Sequence, residues 1–224
     1  MKRIILTWAS SGLGASLAQV FHEAGYEVVG LSRTKPADFV KWIETDLCTE
    51  TSVLSAIQSI QENFQEFSVL IHCAWDGDGE NIEKLDWSNT ERQFRLNMVA
   101  PAILTSNLLP LIKKNEADII GIGATIGFKP YKYFSMYGAS KWAFRGWIEN
   151  LQLELKWFST RVIGIHPGGM DTVWNTKRIN QISELSGKSS EWSFMNTDDI
   201  AQLVFQIYNL PKNMEVSEII INRK

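Results

Sequence analysis

Short apolar runs rich in β-branched residues alternate with helical patterns along the chain, and this alternation limits the fold more than any other feature. The strand-like runs are Arg3–Thr7, Glu27–Leu31, Trp42–Thr45, Ser68–Cys73, Asp118–Gly123, Arg161–His166 and Val216–Asn222. Between them, Leu13–Ala24 has helical periodicity and stops at Gly25, a residue suited to a helix end. Glu50–Phe64 repeats Val53, Leu54, Ile57 and Ile60 at helical spacing. Trp87–Lys113 reads as a long helix with a kink or break at Pro101, Trp142–Phe158 as another, and Ile200–Tyr208 as the helix before the last strand. Strands that are apolar almost throughout belong in a parallel sheet covered on both faces. The expected architecture is therefore a doubly wound α/β sheet of about seven strands, joined by right-handed crossovers.

At 224 residues, with 45% hydrophobic and 21% charged side chains, the chain reads as one globular domain spanning 1–224. Its net charge of −3 carries no basic stripe, which argues against a nucleic-acid partner. No apolar run approaches the ~20 residues of a membrane span. Met1-Lys-Arg leads straight into a strand, without the apolar core of a signal peptide. Cys48 and Cys73 have neither metal-ligand nor redox spacing. The expectation is a cytoplasmic protein with reduced thiols, no metal and no membrane partner.

Two stretches carry chemistry. Thr7-Trp-Ala-Ser-Ser-Gly12-Leu-Gly14 joins the first strand to the first helix. Glycines there let a phosphate approach the free N–H groups of the helix N-terminus, although they also serve tight turns. Tyr137 and Lys141 stand four apart, on one face of a helix. A nearby ammonium favours phenolate and fits a tyrosine for acid/base work. The spacing alone also suits an ordinary surface pair. Taken singly, Asn97 reads as a helix-bend hydrogen bonder and Thr172 as a helix cap.

Taken together, these stretches resemble the short-chain dehydrogenase/reductase family. Thr7–Gly14, with Ser10, Ser11, Gly12 and Leu13, resembles its TGxxxGxG loop, and Tyr137–Lys141 its YxxxK motif. Asp46-Leu47 resembles the acidic position beside the adenine. His72-Cys-Ala74-Trp75 stands where the family usually has Asn-Asn-Ala-Gly. Asn97 resembles the catalytic asparagine, and Pro167-Gly168-Gly-Met-Asp-Thr172 the segment whose threonine holds the nicotinamide carboxamide. The matches run through nearly the whole chain. They imply a Rossmann-like fold and hydride transfer between nicotinamide and a carbonyl or secondary alcohol. Tyr137 would be the acid/base, Lys141 would hold the ribose and lower the tyrosine pKa, and Asn97 would bend its helix and anchor a relay water. The second strand ends in Ser32-Arg33 rather than an acidic residue, which favours the 2′-phosphate of NADP(H) over NAD(H). The resemblance also implies a homodimer or homotetramer, formed through long helices around residues 88–113 and 138–157. Residues 171–197 fall where a substrate lid or a plain surface excursion would lie.

Three departures stand against the motifs. The family's substrate-polarising serine, thirteen residues before the tyrosine, falls on Ala124, with Thr125 adjacent. Trp8 replaces the first loop glycine and Trp75 the glycine after the fourth strand. Both indoles are expected along the adenosine path, or packed on each other. Trp142 and Trp157 also fall where small residues or glycine are usual, while Trp42 and Trp174 fit this pattern less closely. One cause would account for tryptophans at glycine positions: a source that reads UGA as glycine. The competing functional reading, carried by Ala124, Trp8 and Trp75, is a catalytically impaired or non-catalytic dinucleotide-binding or interaction module.

Overall fold

The structure, a computed structural model, describes residues 2–79, 81–172 and 194–223. Trp174 and most of the proposed lid segment 171–197 lie outside these residues. Seven strands form one sheet: β1 Arg3–Thr7, β2 Glu27–Ser32, β3 Lys41–Glu44, β4 Val69–His72, β5 Asp118–Ile122, β6 Val162–Pro167 and β7 Glu218–Ile221. Their order is β3-β2-β1-β4-β5-β6-β7, and every pairing is parallel. This is the expected Rossmann-like doubly wound sheet. The order reverses between β1 and β4, which opens a crevice at their carboxyl ends.

The helices are α1 Gly12–Glu23, α2 Glu50–Asn63, α3 Trp87–Phe94, α4 Ala100–Asn115, α5 Ser135–Leu155 and α6 Thr197–Tyr208. Alternate residues of β1 go to opposite core layers. Ile4 and Leu6 join Leu17, Phe21 and Val204 on one face, while Ile5 joins Ile60, Leu104 and Ile148 on the other. Strand side chains alternate in direction, so a strand buried on both faces must be apolar throughout.

Two helical expectations need correction. The helix expected over Trp142–Phe158 begins at Ser135 and ends at Leu155, so the helical face expected for Tyr137 and Lys141 belongs to the first turns of α5 itself. Gly138 N–H donates to the Phe134 carbonyl at 2.8 Å, which starts the helix ahead of the motif. The expected break at Pro101 is instead a π-turn, Arg95–Val99, linking α3 to α4. Pro101 has no N–H to return to the Asn97 carbonyl four residues back. The resulting helix, Trp87–Asn115, is long and apolar enough in composition to cross a bilayer, with a window hydropathy of 1.2. Leu104, Leu108 and Ile112 on it are fully buried against the sheet, as in a core helix.

Candidate active site

Two cavities flank the β1/β4 crevice. The larger, about 290 Å³, is bounded by Trp75, Ala124, Thr125, Tyr137, Pro167 and Gly168, among others. The smaller, about 170 Å³, is bounded by Trp8, Ser10, Ser11, Ser32, Arg33 and Asp46, among others. The sequence-predicted residues therefore divide into a redox end and an adenosine end.

At the redox end, α5 buries Tyr137 and Lys141 almost completely, at 2% exposure each. Lys141 Nζ lies 3.3 Å from the Ile122 carbonyl oxygen, with the Trp75 and Phe144 rings at 5.5 and 5.4 Å. Burial pushes the Lys141 ammonium down to about 7, because the charged form loses its hydration there. Cys73, also buried, is pushed up to about 12 and stays a neutral thiol. Tyr137 packs with Ile126 and Phe134, and Ala124 and Trp75 close over that group. A one-turn helix, Thr125–Gly127, starts from extended Ala124. Gly127 lies so close to the Lys141 carbonyl that an added Cβ would sit 3.1 Å from its oxygen. Trp142 Nε1 donates to the Ile126 carbonyl at 2.8 Å and ties the same loop to α5. The expected serine position thus adjoins the tyrosine, but it presents a methyl group. Thr125 lines the same cavity.

Asn97 sits within the π-turn, as the helix-bending reading requires. Its Oδ1 accepts from Asp76 N–H at 2.9 Å, and its Nδ2 donates to the Asp76 carbonyl at 2.7 Å and to Ser140 Oγ at 2.9 Å. Ser140 Oγ donates in turn to the Tyr137 carbonyl at 2.8 Å. The amide thus clamps the loop after β4 onto the helix that carries the tyrosine. Asp76, Gly77 and Ser140 were not singled out from the sequence, although Asp76-Gly-Asp-Gly79 is a visible turn signal. Gly77 has a steric reason: an added Cβ would come within 2.1 Å of the Tyr137 ring.

At the adenosine end, the loop after β1 turns through Trp8 at φ 67 and Gly12 at φ 51. Gly14 must be glycine, since a Cβ would lie 2.0 Å from the Trp8 carbonyl oxygen. Ser11 precedes α1 without a side-chain cap bond, leaving the helix N-terminus unblocked by its own cap. Thr172 approaches this turn, and a Cβ on Gly12 would sit 3.4 Å from its Cγ2. Pro167 and Gly168, earlier in the same segment, belong to the redox cavity. Thr7 Oγ1 accepts from Cys73 and Ala74 N–H at 2.9 and 3.0 Å. Its hydroxyl staples β1 to the end of β4, and buried Ala74 serves that staple through its backbone. Leu13 packs inward from α1.

Ser32 Oγ donates to the Thr34 carbonyl at 2.8 Å, which fixes the chain leading to Arg33. The Asp46 carboxylate accepts from Cys48 N–H at 3.0 Å and Thr49 Oγ1 at 3.2 Å. Asp46 therefore organises the turn into α2 beside the cavity, and buried Leu47 forms part of its wall. Arg92, also missed from the sequence, pairs with Asp76 and reaches Asp78 at 3.1 Å.

The indoles do not meet as expected. Trp8 packs with the Ile5 layer, while Trp75 lies against Tyr137 with ring centroids 5.9 Å apart. Trp75 therefore stands at the redox end, not on the adenosine path. Ala74 and Trp75 leave β4 toward opposite core layers, which sends the indole toward α5. Trp8 Nε1 donates to Ser11 Oγ at 2.8 Å, and the Arg33 guanidinium lies 5.7 Å from the Trp8 ring centroid. A dinucleotide suits the free helix N-terminus, the glycine turn and the cationic edge. The one misfit is Trp8, a bulky residue in the left-handed region that glycine favours.

A family model described as short chain dehydrogenase matches residues 2–183. A 3-ketodihydrosphingosine reductase of Bacteroides thetaiotaomicron is 31% identical over 85% of this chain and 71% of its own. An NADP-dependent 3-hydroxy acid dehydrogenase of Salmonella typhi is 25% identical over 96% of this chain and 92% of its own. Among solved structures, an alcohol dehydrogenase of Thermococcus sibiricus complexed with 5-hydroxy-NADP overlays with TM-score 0.84. It is 21% identical, and the overlay covers 99% of this chain and 96% of that one. Other chains of this fold are complexed with NADP+ or with NADH.

Proposed function

Because the chain belongs to the short-chain dehydrogenase family and is an oxidoreductase acting between CH–OH and C=O, we propose that Tyr137 is its acid/base and NADP(H) its cofactor. The observation that carries this reading is the burial of Lys141 one helical turn after Tyr137 on α5, with Tyr137 itself at the wall of the larger cavity. A desolvated ammonium on that face stabilises phenolate in a low-dielectric setting. In reduction Tyr137 gives its proton to the carbonyl oxygen, and in oxidation it takes the hydroxyl proton back. The bound nicotinamide supplies or takes up the hydride. Asn97 keeps the Asp76–Gly77 turn against the tyrosine and so fixes the ring's position. Thr125 is the hydroxyl that the loop after β5 offers in place of a serine at Ala124.

Ser10, Ser11, Gly12 and Gly14 would hold the diphosphate at the start of α1, and Thr172 the carboxamide. Arg33 supports the choice of NADP(H), since Ser32-Arg33 at the end of β2 stands where a carboxylate would receive a ribose 2′-hydroxyl. We read residues 1–224 as one cytoplasmic catalytic unit. Exposed Val99 at the end of the π-turn, Ile103 on α4, and Trp142 and Leu153 on α5 support a homodimer or homotetramer built on those helices.

The test is NADPH oxidation with a panel of carbonyl compounds, run beside NADH. Turnover favouring NADPH is the expected result. Saturable NADPH binding without turnover of any carbonyl would instead make the chain a dinucleotide-binding module.

A further inference from the structure

The larger cavity has a charge pattern that bears on its substrate. Besides Tyr137, its walls carry five aromatic rings: Trp75, Tyr131, Tyr133, Phe134 and Phe194. The charged side chains among its described lining residues are Lys132 and Arg223, and none of those residues is acidic. Lys132 is exposed at the rim, and its ammonium lies 4.8 Å from the Tyr133 ring centroid. Tyr133 itself holds φ 68, the left-handed region that a tyrosine occupies only under tertiary constraint. Strain of this kind concentrates at ligand clamps. Behind it, Gly79 makes room for Phe134, since an added Cβ would lie 2.9 Å from that ring. The Tyr131–Phe134 segment is thus locked so that one face is aromatic and its rim is cationic.

We infer that the substrate is an oxo or hydroxy acid with an apolar, aromatic-sized body, whose carboxylate meets Lys132 at the rim beside Arg223. This rests on the Tyr137 reading, because it places the carbonyl or carbinol carbon at the opposite end, beside Tyr137 and Ala124. An ammonium-bearing amino ketone of the same shape is disfavoured, because it brings like charge to Lys132 and meets no carboxylate among the described lining residues. In oxidation the carbinol carbon gives up a hydride to NADP+ and its hydroxyl gives up a proton to Tyr137. The carboxylate is unchanged, so the products are the oxo acid, NADPH and one proton.

The test uses β-hydroxy-β-phenylpropanoate, its methyl ester, and the analogue in which an aminomethyl group replaces the carboxylate. With NADP+, kcat/KM for the acid should exceed that for the ester by about tenfold, with the amine lowest. Lys132→Gln should collapse the acid-to-ester ratio toward one. Equilibrium binding of the same three compounds, read as a rise in melting temperature, keeps the result independent of turnover. Tightest binding by the acid, lost in Lys132→Gln, supports the inference even if Tyr137 proves not to be the acid/base. Turnover that survives Tyr137→Phe would strike that reading alone. An ester that reacts and binds as well as the acid, or an amine that does better, overturns the inference.

Discussion

The two cavities beside the β1/β4 crevice depart from the family pattern in opposite ways. At the redox end the departure that bears on the chemistry is a missing oxygen atom at Ala124; Trp75 packs on Tyr137, and the left-handed Tyr133 lies outside the motif positions. The parts around it are tied down: Asn97 to Asp76, Ser140 to Tyr137, and Trp142 to the loop at Ile126. At the adenosine end the polar groups are present, and the departure is a conformation. Trp8 holds φ 67 with an indole attached, and that indole occupies the Ser11 hydroxyl and lies near Arg33. A missing hydroxyl lowers a rate and leaves the fold alone. A side chain where glycine belongs costs stability and crowds the ligand, by about 1–3 kcal/mol in backbone strain alone.

Restoring the oxygen is expected to have the larger effect. Ala124→Ser should raise kcat by about 10²-fold with little change in NADPH affinity, since one positioned donor is worth roughly 10²–10³ in rate. No gain in steady-state kcat would mean that Thr125 already polarises the substrate. Relieving the strain comes next. Trp8→Gly should raise the unfolding free energy by about 1 kcal/mol or more and tighten NADPH about tenfold or better, as read by denaturant titration and fluorescence quenching. If tryptophan stands for a UGA read as glycine, the source DNA carries UGA at positions 8 and 75. UGG at either position removes that explanation.

Arg33→Ala probes the cofactor edge alone. It should weaken NADPH about tenfold, as expected for a lost charge-assisted contact, and leave NADH nearly unchanged. Equal loss for both cofactors would make Arg33 a structural residue. The smallest effect concerns stability without cofactor. Lys141 falls from 10.5 to about 7 on folding, so over that range the unfolded chain binds more protons and stability rises with pH. Cys73 opposes this above 9.0, where the unfolded thiol ionises while the buried one is held up to about 12. Melting temperature should therefore climb between about pH 7 and 9, and Lys141→Met should flatten the climb.

Much of this was legible in the sequence, for physical reasons that also mark where it stopped. Strand ends came within about two residues, because a strand buried on both faces is an apolar run cut off by polar residues. The start of α5 lies seven residues ahead of the apolar run at Trp142, because Gly138-Ala-Ser140 adds little apolar periodicity. That segment is helical through packing, with Tyr137, Ser140 and Lys141 all buried. Pro101 announced an irregularity, but its resolution as a π-turn depends on what Asn97 must reach. Asn97, Tyr137 and Lys141 could be named from a motif, whereas Asp76 meets Asn97 through its backbone and Ser140 links Asn97 to the Tyr137 carbonyl through its hydroxyl, contacts that leave little trace in sequence. Trp75 was assigned to the wrong cavity because position along a strand does not give the direction of a side chain once the strand ends.

The central claim is that a desolvated Tyr137–Lys141 pair performs the proton transfer. Its most direct test is Tyr137→Phe, measured for NADPH binding and for single-turnover reduction of a carbonyl substrate. The account predicts unchanged NADPH affinity and a rate lowered about 10²–10⁴-fold. Reduction by the phenylalanine variant at the wild-type rate would contradict it.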